Sequence, residues 1–71
     1  MLIFIKNMRG IALPIVVEPT DKVAAVRNEF CEYLGINSDS VILKYNGIPL
    51  NEDKTLKCYN IKESTILNAE I

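Results

Sequence analysis

A chain of 71 residues, 49% hydrophobic and 24% charged, holds enough apolar material for one small core, and a single domain spanning residues 1–71 is expected. Its net charge of −1, with acids and bases interspersed, offers no basic face to a phosphate backbone and argues against nucleic acid as a partner. The longest apolar run, Ile11 to Val17, contains Pro14 and is far too short to cross a bilayer, and no charged-then-apolar leader precedes a cleavage site. No membrane attachment and a cytoplasmic or nuclear location are therefore expected.

Met1 to Lys6 alternates Ile3 and Ile5 against Leu2, Phe4 and Lys6, and Ile11 to Val17 sets Leu13, Ile15 and Val17 against Ala12, Pro14 and Val16. Length and β-branched content make both of them strands. Asn7 to Gly10 links them, and its final Gly suits a type I turn followed by a bulge, so the pair forms a β-hairpin. Pro14 cannot donate to a ladder, which places the second strand at a sheet edge. Glu18 and Pro19 then end it.

From Thr20 to Gly35 the period changes. Val23, Val26, Phe30 and Leu34 recur at spacings of three and four and define one face of an α-helix, while Lys22, Arg27, Asn28, Glu29 and Glu32 face water. Thr20 or Asp21 can accept a hydrogen bond from the first free N–H groups, and Gly35 can adopt the left-handed conformation that stops the helix. Ile36 to Ser40 is a polar crossing. Val41 to Tyr45 is a third strand with Val41 and Leu43 on one face, Asn46-Gly47 is a tight-turn dipeptide, and Ile48 to Leu50 forms a very short partner strand. Asn51 to Thr55 is a charged loop and Leu56 to Tyr59 a helical turn. Ile66 to Ile71 is a last strand, with Leu67, Ala69 and Ile71 alternating against Ile66, Asn68 and Glu70. The fold class is α+β, a mixed sheet with one helix packed across it.

Little in the chain points to chemistry. Cys31 and Cys58 are too few and too isolated for a zinc site, and there is no histidine, which also removes the commonest general base. A Cys, Lys or carboxylate enzyme needs a pocket, and this protein has little interior to spare. The expectations are no catalysis, no metal, no cofactor, and two reduced, unpaired thiols, although the count alone allows a disulfide.

The chain resembles ubiquitin from end to end. The resemblance is carried by Met1-Leu2-Ile3-Phe4-Ile5-Lys6, the turn ending at Gly10, Val17-Glu18-Pro19-Thr20-Asp21, Gly35-Ile36, Leu43, Gly47, Leu50, Thr55-Leu56 and Tyr59-Asn60-Ile61. It implies the β-grasp fold of the ubiquitin-like domains, a Tyr59 hydroxyl that anchors its own loop, and an ion pair between Arg27 and Glu52. Shifting the phrase Lys62-Glu63-Ser64-Thr65 by one residue would turn Asn68 into the core, so the gapless match is preferred.

The departures from ubiquitin matter as much as the match. Ubiquitin's modifier tail ends in Arg-Gly-Gly, whereas this sequence reaches Ile71 with no glycine after Gly47, so conjugation is not expected of it as it stands. Where ubiquitin builds chains through lysines, the matching positions hold Ile11, Arg27, Glu29, Tyr33, Ile48 and Glu63, leaving Lys6. Ubiquitin's apolar contact patch corresponds here to Met8, Lys44, Asn68 and Glu70, of which only Met8 is apolar. Pressing Lys44 or Glu70 into an apolar groove without an opposite charge costs several kcal/mol. Lys44 and Glu70 either pair across neighbouring strands or serve a purpose-built charged contact.

The outward positions of the hairpin and last strand, Leu2, Phe4, Ala12, Pro14, Val16 and Ile66, are all apolar. On the sheet face away from the helix they would form a contiguous protein-binding patch, with Lys6, Glu63 and Ser64 as a polar rim. The bland reading is scattered apolar surface of the kind every protein carries. Two functions follow. One is a non-conjugated ubiquitin-like interaction domain, a module of a larger protein or a small adaptor, that uses the Phe4 face to bind a protein partner or to self-associate. The other is a diverged protein modifier of the ubiquitin type, for which a glycine pair after Ile71 in the full gene product would be diagnostic.

Overall fold

The computed structural model describes residues 1–70. The first hairpin pairs β1 (Leu2–Lys6) with β2 (Ala12–Val16). Its turn closes as the composition requires. Gly10 sits at φ 83° and donates its N–H to the Asn7 carbonyl, while the Asn7 side-chain oxygen accepts from Arg9 and Ile11. The second hairpin joins β3 (Ile42–Tyr45) to β4 (Ile48–Pro49). Asn46 and Gly47 both take positive φ there, matching the twist of the flanking strands.

The last strand, β5 (Ile66–Glu70), lies in the middle of the sheet, whose order is β2-β1-β5-β3-β4. It runs parallel to β1 and antiparallel to β3. The sheet is thus mixed, and β2 with Pro14 is an edge strand as its composition demands. The expected extension of β5 to Ile71 lies outside the described residues.

The helix α1 (Val23–Leu34) crosses one face of this sheet. Val23, Val26, Phe30 and Cys31 pack into a core with Ile3, Ile5, Ile15, Leu43, Leu67 and Ala69 from the sheet, closed by Val17, Val41, Leu50, Leu56 and Ile61. No polar or charged side chain is buried among the described residues. One member of the expected stripe is corrected: Leu34 is 43% exposed, and Cys31 is buried instead. Leu34 is the last helical residue, and the chain turns away immediately afterwards. Gly35 at φ 69° donates to Glu32, and Ile36 to Cys31, closing the C-terminus.

The start of the helix also differs from expectation. Neither Thr20 nor Asp21 caps it. Lys22 is the N-cap residue and makes no side-chain cap, while the Asp21 carboxylate accepts from the Glu18 N–H. The free donors are satisfied from far along the chain: Val23 N–H bonds the Lys54 carbonyl at 2.9 Å and Ala24 N–H the Glu52 carbonyl at 3.1 Å. In return, Leu56 and Lys57 donate to the carbonyls of Asp21 and Pro19. Arg27 and Glu52 form the ion pair that the resemblance implies, bracing the same junction.

The helical turn Leu56–Tyr59 is a short 3-10 helix begun by Thr55. The Tyr59 hydroxyl accepts the Asn51 N–H at 2.8 Å, so it does anchor its loop. Tyr59→Phe should cost about 1 kcal/mol, the net worth of one such hydrogen bond, readable as a lowered urea midpoint with an unchanged slope.

Both thiols are free; Cys31 is buried and Cys58 exposed. Hydrogen bonds from Thr55 lower the Cys58 pKa, helped by Lys54 and Lys57, whereas burial raises that of Cys31 against the opposing pull of Arg27. Because the thiolate is the nucleophile, Cys58 should alkylate in the folded protein at a lower pH than an ordinary thiol, and Cys31 only after unfolding. Mass spectrometry of native and denatured samples checks this, and a doubly labelled native species would contradict it.

Candidate interaction surface

Side chains alternate across a strand, so the residues between the core positions share the sheet's outer face, away from α1. The register arranges them in rows. Leu2 stands opposite Val16, and the next row is Pro14, Phe4 and Ile66 across β2, β1 and β5. The row beyond is polar in its centre: Ala12, Lys6, Asn68, Lys44 and Pro49. Glu70 and Ile42 follow as partners of one another.

The structure therefore brings together Leu2, Phe4, Pro14, Val16 and Ile66. Ala12 lies at the border of this group, in the row of Lys6. Val16 and Ile66 are well exposed, at 72% and 53%. Leu2 and Phe4 are only half-buried, since β1 has neighbours on both sides, with Pro14 and Ile66 in register beside Phe4. The rim residues take structural duties. Glu63 accepts the Leu2 N–H at 2.8 Å, and Ser64, at φ 67°, donates its N–H to the Leu2 carbonyl at 2.7 Å.

The positions matching ubiquitin's patch fall on the polar half of this face. Lys44 and Glu70 are joined as an ion pair, the first of the two readings that the residues allowed. Asn68 lies between Lys6 and Lys44, and Met8 projects from the hairpin turn at 70% exposure. Sequence reasoning missed Ile42, which is exposed beside Glu70; its place between the inward Val41 and Leu43 was the available signal. Among the described residues no group of three or more His, Cys, Asp or Glu could hold a metal ion, and no helix is long and apolar enough to cross a membrane.

The hairpin, the crossing helix and the central parallel pair β1–β5 define a β-grasp domain of the ubiquitin-like class. The Ubiquitin family model matches residues 3–71, and the chain belongs to that family. It is similar to the Ubiquitin-like protein NEDD8 of Dictyostelium discoideum, 29% identical over 68 residues that span 96% of this chain and 88% of that protein. It is also similar to Ubiquitin-like protein 1 of Schizosaccharomyces pombe, 28% identical over 68 residues, 96% of this chain and 87% of that protein.

An ion pair at Lys44 and Glu70 cannot accept an apolar ridge without being broken or desolvated, a cost of several kcal/mol. Helices that seat such a ridge on ubiquitin should therefore fail to bind this domain at micromolar concentrations. An NMR titration checks it, and shift changes centred on Met8 and Lys44 in that range would refute it.

Proposed function

We propose that this chain is a single ubiquitin-like interaction domain that acts without being conjugated, as a module of a larger protein or a small adaptor in the cytoplasm or nucleus. Its binding face is the apolar part of the outer sheet around Phe4, with Leu2, Pro14, Val16 and Ile66, and Ala12 at the margin. The observation that carries this reading is the division of one surface: five apolar side chains stand in adjacent register rows, while the positions of ubiquitin's patch hold a formed ion pair. Contiguous apolar surface outside a core marks a contact with another protein. The partner is a protein or a second copy of the chain, held by side chains on the face, because Pro14 leaves the β2 edge short of a donor for strand addition. No step of this role needs a catalytic group or cofactor.

The test is affinity capture with the intact domain beside Phe4→Glu, together with mass spectrometry of the endogenous protein. Partners lost with the variant and no isopeptide-linked species support the proposal. Endogenous protein joined to substrate lysines through a terminal glycine would establish the competing reading, a protein modifier.

A further inference from the structure

Beside the apolar rows, the same outer surface holds a groove of about 600 Å³, lined by Lys6, Met8, Arg9, Lys44, Asn68 and Glu70 among others. Its floor follows one register row, with Lys6 on β1, Asn68 on β5 and Lys44 on β3. With strands ~4.8 Å apart, the two lysine Cα atoms stand roughly 10 Å from each other. The Lys6 stem leans toward the hairpin turn, its Cε lying 3.8 Å from where a Cβ on Gly10 would stand, and Arg9 of that turn lines the same groove. Lys44 is already paired, by Glu70. Lys6 and Arg9 have no carboxylate partner among the described residues.

We infer that this groove binds an acidic segment of a partner protein, whose carboxylates pair with Lys6 and Arg9. Among the described residues three cations and one acid line the groove, a local charge of +2, although the chain as a whole carries −1. Glu70 shows that a carboxylate seats on this floor, and the Asn68 amide adds neutral donors between the two lysines. Nucleic acid fits less well, because a phosphate backbone needs a longer row of cations with no acid among them. Each exposed pair contributes little alone, so binding is modest, salt-sensitive and set by the number of acids engaged. The site is independent of the Phe4 face and stands or falls separately from it.

The probe is a ten-residue peptide of Asp, Glu, Gly and Ser, titrated into the isotope-labelled domain by NMR. At low salt the shift changes should centre on Lys6, Arg9, Lys44 and Asn68, and affinity should fall several-fold once the screening length drops to ~10 Å or below. Lys6→Gln combined with Arg9→Gln should abolish the shifts. Glu70→Gln, which releases Lys44, should tighten binding several-fold, and Phe4→Ala should leave it unchanged. The inference is overturned if the Asn/Gln version of the peptide binds equally well, if the folded double variant keeps its affinity, or if a single-stranded oligonucleotide of equal charge binds more tightly.

Discussion

Phe4→Glu should abolish partner capture or self-association while the domain stays folded. Phe4 stands in the middle of the apolar rows, between Pro14 and Ile66, and its ring is the largest apolar contact on a floor of smaller side chains. A carboxylate there would have to be desolvated against the partner, which costs several kcal/mol with no cation opposite. The price in stability is small by comparison. Phe4 is half-buried on the outer face and is absent from the core, so replacing it opens no internal cavity and forfeits about 1 kcal/mol of partial burial. Lys44→Ile is the matched control, since it restores one element of ubiquitin's patch and leaves the Phe4 rows untouched. An unfolded Phe4→Glu domain, seen as lost circular dichroism, would place Phe4 in the core after all. A folded variant that keeps every partner would remove the face from the proposal.

Phe30→Ala should produce the largest loss of stability, about 3–5 kcal/mol. Phe30 heads the fully buried side chains by volume and lies under the sheet between Val26 and Leu34 on the helix stripe. A domain of this size has a stability near the low end of ~5–15 kcal/mol, so the variant should be largely unfolded at 37 °C. Thermal and urea melts check it. A loss below ~1 kcal/mol would mean that the sheet and helix close over the gap, which close-packed interiors do only in part.

Features set by near neighbours were legible in the residues: the Gly35 stop, the Asn46-Gly47 turn and the turn closed by Gly10. Strand alternation likewise marked which residues face outward. The helix start was not legible, because its donors are met by the carbonyls of Glu52 and Lys54, some thirty residues away, and no local cap residue is used. Leu34 satisfied the helical period yet stayed half in water, since periodicity reports a face and not how far the opposing sheet extends beneath it. The outer face shows the same division. Its apolar members followed from alternation alone, but the separation of the Phe4 rows from the Lys6–Asn68–Lys44 row depends on the register of β1 against β5, strands from opposite ends of the chain.

The central place of β5 bears on how the molecule is made. A ribosome delivers the hairpin and helix first, yet β1 and β3 can join into one sheet only when residues 66–70 have emerged and slipped between them. Until then Ile3, Ile5, Val26 and Phe30 lack the Leu67 and Ala69 side chains of the core, and the loop closures that would repay their ordering have not occurred. Folding of this domain thus waits for residues 66–70 and occurs as one cooperative event.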